Sequence, residues 1–83
     1  MADEATMPQY FLNIRDRGTL ILDPEGDVLP GLREARDLVE RTVRDIRRRP
    51  ETYGCPDLWN SRSFEVTDQS GEILLEIAFS SVR

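Results

Sequence analysis

Short runs of apolar and aromatic residues near the N-terminus predict a β-hairpin. Residues 9–15 include Tyr10, Leu12 and Ile14 and have the aromatic and branched composition of a strand. A tight turn at residues 16–18 leads into a second run at residues 19–22. Residues 23–26 read Asp-Pro-Glu-Gly, the residues that a type I turn prefers, so we expect the chain to reverse there.

The middle of the chain changes to the spacing of a helix. After Pro30, apolar residues recur every three or four positions, which places them on one stripe of a helix that ends before Pro50. Arginines fill most of the opposite face. We therefore predict an amphipathic helix whose core-facing residues are Leu32, Ala35, Leu38, Val39, Val43 and Ile46.

Alternation returns after an irregular connector at residues 50–61. Phe64 and Val66 precede a turn at residues 68–71, and a second alternating run follows at residues 73–79. The order strand, strand, helix, strand, strand predicts an α+β fold. It is a small ββαββ domain with a mainly antiparallel four-stranded sheet and one helix packed on one face.

A single helix leaves the other face of the sheet without a cover. Alternation predicts that Tyr10, Leu12, Ile14, Ile73, Leu75, Ile77 and Phe79 face the helix, and that Phe11, Asn13, Arg15, Leu74, Glu76 and Ala78 face away. This mixed outer face is a candidate interface. The alternatives are scattered exposed apolar residues, or a sheet that curls over the connector. The candidate protein-interface residues are Phe11, Asn13, Leu74 and Ala78.

Length and composition predict one domain over residues 7–83, preceded by a frayed tail at residues 1–6. A core this small supplies about 3–5 kcal/mol unaided, which favours self-association as a homodimer, or a protein partner. The apolar runs are too short for a membrane span and no signal peptide is recognisable, so a cytoplasmic protein is expected.

Positive charge is concentrated on the predicted helix. All eleven basic residues are arginines, and the seven between positions 33 and 49 give that segment a net charge of +3 in a chain of net charge −5. The interleaved acids have the spacing of helical ion pairs, which predicts a solvated, salt-bridged face. The alternative is a patch for nucleic acid or another polyanion, formed by Arg44, Arg47, Arg48 and Arg49.

No residue pattern indicates catalysis, a cofactor or a metal. Histidine is absent, and the one cysteine, Cys55, has no second cysteine to pair with. Acids at residues 23, 25, 27 and 34 have part of the spacing of a calcium loop, but Val28 stands where that loop needs glycine, which favours turn chemistry. Trp59 and Tyr53 are expected to plug the core beneath the connector, with a ligand-stacking pair as the alternative.

Several ordered motifs resemble a family of short, uncharacterised alphaproteobacterial proteins, catalogued as a domain of unknown function. The resemblance covers residues 7–80 and implies a bacterial cytoplasmic protein, with no activity, cofactor or catalytic residue. Together with the missing chemistry, it favours a non-enzymatic interaction or self-associating module. The matching motifs are a Met-Pro-x-Tyr-Phe start at Met7, an Asp-x-Glu-Gly turn at Asp23, Leu29-Pro30 at the helix start, and a Val-Thr-Asp-x-x-Gly hairpin at Val66.

Overall fold

The computed structural model describes residues 7–83, and the predicted tail at residues 1–6 lies outside them. The described residues form an α+β fold in which one long helix packs against an antiparallel sheet, as the sequence predicts. The sheet has five strands and not the predicted four, because a short extra strand also pairs with the first one. Two 3-10 turns, Pro56–Trp59 and Phe79–Ser81, supplement the regular elements. The strands are β1 (Gln9–Asp16), β2 (Thr19–Ile21), β3 (Asp27–Val28), β4 (Arg62–Thr67) and β5 (Ile73–Ala78), and the helices are α1 (Leu32–Arg48) and α2 (Pro50–Tyr53).

Strands β1 and β4, which are far apart in the sequence, pair with each other and form the centre of the sheet. The strand order is β2-β1-β4-β5, and every pairing is antiparallel. Strand β3 pairs with the N-terminal end of β1, so β2 and β3 lie along the same edge of that strand. The centre of the sheet therefore joins the two predicted hairpins.

The predicted reversal of the chain at residues 23–26 is wrong. Both β2 and β3 run antiparallel to β1, with Ile14 opposite Ile21 and Tyr10 opposite Asp27. The chain therefore continues in one direction along β1, and residues 22–26 form an irregular excursion between the two short strands. Residues 23–26 do favour a turn, but the strands on both sides of them pair with β1. This pairing decides the direction in which the chain continues.

Helix α1 covers one face of the sheet with the predicted stripe. Ala35, Val39, Val43 and Ile46 are buried. Each fully buried branched side chain contributes about 1.5–3 kcal/mol of transfer free energy, so this stripe is a main source of stability. Leu32 lies at the exposed helix start. The sheet side of the core consists of Tyr10, Phe64, Val66, Ile77 and the partly buried Leu12, Ile14 and Leu75.

The connector between α1 and β4 contains more helix than predicted, because α2 and a 3-10 turn lie within it. Trp59 closes the core beneath it: 8% exposed, it packs against the rings of Phe64 and Phe79 at centroid distances of 6.4 and 5.8 Å. Its indole nitrogen donates to the Tyr53 carbonyl oxygen at 3.1 Å. The Tyr53 hydroxyl instead donates to Asp45. Trp59 therefore matches the predicted core plug, whereas the Tyr53 side chain is exposed and takes no part in it.

A β-bulge changes which residues of β5 face outward. Register shifts between Val66 and Thr67, so Leu75 lies opposite Val66 while Ile73 lies opposite Thr67. Leu74 packs against the core, and Ile73 is exposed on the outer face. The predicted orientations of Ile73 and Leu74 are therefore wrong, because simple alternation does not account for the extra residue of a bulge.

Candidate functional site

The outer face of the sheet contains a groove of about 340 Å³. Leu20 of β2 and the residues that follow this strand form one wall, and the turn between β4 and β5 forms the other. Side chains of β1 and β4 form its floor. We call this feature the outer groove and define it by an apolar rim of Phe11, Leu20, Leu22 and Ile73 above a polar floor of Asn13, Arg15, Glu65 and Thr67.

The rim exposes large aliphatic side chains to solvent. Leu22 is 66% exposed and Ile73 is 55% exposed, on opposite walls. Leu20, at 38%, lies on the same wall as Leu22. Single exposed apolar residues are ordinary on protein surfaces, but apolar residues that converge on one concave site mark a binding surface.

Phe11 is fixed at one end of the rim by the backbone of the excursion. Gly26, at φ +70°, leaves room for the ring, since a Cβ atom at this position would lie 2.8 Å from two ring carbons. The same atom would lie 2.8 Å from the carbonyl oxygen of Tyr10. Glycine at position 26 therefore permits both the backbone turn and the placement of Phe11.

The floor is a buried polar network that links β1, β4 and the excursion. Asn13, Glu65 and Thr67 are each only 5–6% exposed although none of the described helices covers this face. The Asn13 side-chain amide donates to the Thr67 hydroxyl at 3.2 Å and accepts from the backbone N–H of Asp23 at 2.9 Å. In residues 7–83, every buried side-chain nitrogen and oxygen has a hydrogen-bond partner. The network therefore holds the floor in one arrangement.

Two carboxylates and one guanidinium group lie near one another on the outer face of the sheet. Arg15 Nε donates to Glu65 Oε2 at 2.9 Å, in an ion pair whose acid is almost fully covered. Glu76 lies directly opposite Glu65 across the β4–β5 pairing. The hydrogen bond and charge of Glu65, together with the charge of Glu76, raise the pKa of Arg15. Arg15 thus contacts Glu65 and also experiences the charge of Glu76.

Asp23 holds the excursion against β1 in the gap between β2 and β3. One carboxylate oxygen accepts from the N–H groups of Glu25 and Gly26, and the other accepts from the N–H of Leu12 at 3.2 Å. Burial opposes ionisation of this carboxyl, but the hydrogen bonds from Gly26, Glu25 and Leu12 together lower its pKa below the ordinary value. The Asp23 carboxylate therefore accepts the hydrogen bond from the Leu12 N–H that a carbonyl oxygen of a paired strand would otherwise accept.

Asp68 plays a similar part at the opposite wall. Its Oδ1 accepts from the hydroxyl and N–H of Ser70 and from the N–H of Glu72, and its pKa is lowered chiefly by the Ser70 hydroxyl. Gly71, at φ +89°, completes this turn. Both walls of the outer groove are thus held by an ionised aspartate that binds backbone amides.

The structure places the four predicted interface residues in different positions. Phe11 and Asn13 line the outer groove, and Ala78 is exposed on the same face, outside the groove lining. Leu74 packs on the core instead. Sequence reasoning missed Leu20, Leu22 and Ile73 on the rim and Glu65 and Thr67 on the floor. Polar residues at alternate positions of β4 were the available signal for the last two.

The predicted arginine patch is only partly assembled. Arg44, Arg47 and Arg48 surround a depression of about 370 Å³ together with Arg83. The fourth predicted member, Arg49, instead forms an ion pair with Asp45 at 3.1 Å. Arg47 is half-buried, because its guanidinium group donates to the Phe79 carbonyl oxygen and lies 4.8 Å from that ring centroid.

Other chemistry suggested by the sequence has a structural explanation. The Asp23 carboxylate of the possible calcium loop is occupied by backbone amides, and residues 7–83 contain no group of three or more metal-ligating side chains. Cys55 is an exposed, free thiol. None of the described helices has the length and apolar character needed to cross a membrane.

A known protein family matches almost the whole of the fold that forms the outer groove. Residues 9–80 match the model of a domain of unknown function, DUF6894. The chain belongs to the DUF6894 family. No curated protein and no solved structure matches it. The DUF6894 match spans β1 to β5, and with them both walls and the floor of the outer groove.

Proposed function

We propose that this DUF6894 protein is a non-enzymatic protein-interaction module that binds a polypeptide in the outer groove. The observation that supports this most is the combination of an exposed aliphatic rim with a fixed polar floor. Leu22 and Ile73 offer apolar surface, while Asn13 and Glu65 offer polar groups between them. Protein interfaces combine apolar contact with a few oriented polar groups in this way.

The dimensions of the groove favour a peptide segment as ligand. Its volume of about 340 Å³ is at the low end of the range for small-molecule sites, and its rim consists of solvent-exposed side chains. A few side chains of an extended segment would fill it. Because the flanking turns are tied down by Asp23 and Asp68, the groove needs little ordering when a partner binds.

A non-catalytic role fits the engagement of the floor residues with one another. Arg15 is paired with Glu65, and Asn13 is bonded to Thr67 and to the backbone of Asp23. These groups are suited to recognising a ligand and to keeping the groove floor rigid. We further infer a bacterial cytoplasmic protein, on the strength of the alphaproteobacterial resemblance of its motifs.

Polyanion binding at the helix end is the weaker alternative. Four arginines around one depression would suit phosphate groups. However, Arg47 is held by Phe79, Arg44 lies 4.0 Å from Glu40, and the chain as a whole carries a net charge of −5. These features reduce the attraction for a polyanion.

Site-specific photo-crosslinking in the native host tests the proposed function. A photo-reactive phenylalanine analogue replaces Leu22 or Ile73 on the rim, and Val28 serves as the control because it is 57% exposed and lies outside the groove lining. We expect the two rim positions to give adducts with the same partner or with a second copy. Val28 should give none of these adducts.

A charge on the rim provides the second arm of this test. Leu22→Asp should abolish the adduct formed from Ile73, whereas Val28→Asp should leave it unchanged. Equal adducts from Val28 and the rim positions, or adducts that resist Leu22→Asp, would show that the outer groove is not the binding surface.

A further inference from the structure

We propose that the ligand of the outer groove is a polypeptide segment carrying an arginine or lysine between apolar residues, with its cation placed at Glu65. This inference rests on the proposed function and specifies the chemistry of the partner. It follows from the charges on the floor and walls of the groove, taken together with its apolar rim.

Negative charge exceeds positive charge at the site. Among residues 7–83, the groove lining contains one basic residue, Arg15, and three acids, Asp23, Glu65 and Asp68. Glu76 adds a fourth carboxylate beside them, directly across from Glu65. Like charges opposite each other in a sheet are destabilising, so a cation that enters the groove relieves a repulsion already present in the free protein.

The position of Glu65 makes this charge effective. The residue is 5% exposed and lies on the groove floor, where Arg15 contacts one of its carboxylate oxygens, Oε2. Water competes less at such a site than on an open surface, so a second charge-assisted hydrogen bond to Glu65 gains strength. Phe11 and Ile73 on the rim would contact the aliphatic stem and the apolar neighbours of the incoming cation.

A second copy of the chain fits this surface less well. A two-fold contact would place each copy's outer groove against the other and bring Glu65 and Glu76 of both copies together. An isologous interface repeats every residue in this way, so the excess of negative charge would double without compensation. A basic partner compensates it.

Peptide pools with a variable central residue test the inference by NMR. Three pools of acetylated pentapeptides carry arginine, citrulline or glutamate at the centre, with leucine, isoleucine, valine, phenylalanine and serine mixed at the flanks. Citrulline matches arginine in shape and lacks its charge. Each pool is titrated into the full chain while the backbone amides of Asn13 and Thr67 are followed.

We expect the arginine pool to shift these amides with about fivefold higher apparent affinity than the citrulline pool, and the glutamate pool to bind weakest. Glu65→Gln should remove most of the preference for arginine while keeping the fold, since glutamine still accepts from Arg15. Glu51→Gln, an exposed change of the same charge on α2, should keep the preference.

Each contrary result overturns the inference. Equal binding of arginine and citrulline, a preference for glutamate, or no groove shifts with any pool would do so. So would a dimer in light scattering that Leu22→Asp dissociates, because a second copy would then occupy the groove. The crosslinks from Leu22 and Ile73 test the proposed function separately, so the two failures are distinguishable.

Discussion

Gly26 lies directly beneath the ring of Phe11, and the excursion that carries Gly26 lies against the sheet at this point. Any Cβ atom at position 26 would lie 2.8 Å from Cδ2 and Cε2 of that ring. The backbone at Gly26 also has φ +70°, a conformation that side chains rarely adopt. One glycine therefore connects the shape of the chain between β2 and β3 to the end of the outer groove.

Gly26→Ala should destabilise the protein by about 2–4 kcal/mol, because it adds left-handed backbone strain to an overlap with Phe11 and Tyr10. Urea unfolding followed by Trp59 fluorescence measures the change. Gly18→Ala is the control, because a Cβ atom there would have no neighbour within 4 Å, and it should change stability by less than about 0.5 kcal/mol. Equal effects of the two variants would contradict the role of Gly26.

Asp23 should make stability depend on acidic pH. Its folded-state pKa is lowered, so between that value and the ordinary aspartate pKa of about 3.9 the unfolded chain binds more protons than the folded one. The Asp23 contribution to the free energy of unfolding is therefore complete at pH values above the pKa of the unfolded state. It decreases as the pH falls through the pKa of the folded state. Asp68 shifts in the same direction and adds to the slope.

Asp23→Asn isolates this contribution. The side-chain NH₂ of the new asparagine would face the N–H of Leu12, and two donors cannot form a hydrogen bond with each other. We therefore expect the free energy of unfolding to decrease by about 1–2 kcal/mol near pH 7. The curves of the variant and the parent protein should converge toward pH 2 in urea unfolding. Asp27→Asn, at an exposed position of the neighbouring strand, should leave stability at pH 7 within about 0.5 kcal/mol. Parallel curves for Asp23→Asn would exclude the carboxylate as the source of the slope.

Trp59 should behave as a core residue and not as a ligand platform. Trp59→Phe removes the hydrogen bond to Tyr53 and part of the contact with Phe64 and Phe79, and should cost about 1–2 kcal/mol of stability by circular dichroism. Tyr53→Phe loses only an exposed hydroxyl contact with Asp45 and should cost less than about 0.5 kcal/mol. An unchanged unfolding midpoint for Trp59→Phe would favour the stacking alternative.

Local pattern was sufficient for the long helix and the four main strands, and insufficient for the short elements and the groove. The spacing of Ala35, Val39, Val43 and Ile46 identified the buried side of α1 because helical periodicity is a property of one segment. The β1–β4 pairing joins segments about 50 residues apart and places Asn13 beside Glu65, which no local signal reports. The bulge at Val66 and Thr67 then exchanges the faces of Ile73 and Leu74.

Arg47 combines a hydrogen bond to the backbone of Phe79 with a cation–π contact to the ring of the same residue. Its guanidinium group donates to the Phe79 carbonyl oxygen at 3.1 Å and lies over the Phe79 ring. A lysine at this position keeps the charge but loses the planar fork and its stacking, so Arg47→Lys should cost about 1 kcal/mol in urea unfolding. Arg48→Lys, at an exposed position, should be neutral within about 0.5 kcal/mol. Equal losses of stability in Arg47→Lys and Arg48→Lys would contradict the special position of Arg47 over Phe79.

Arg48→Glu tests the polyanion alternative without disturbing the fold. Undiminished binding of labelled RNA by that variant would exclude Arg48 as part of a polyanion site.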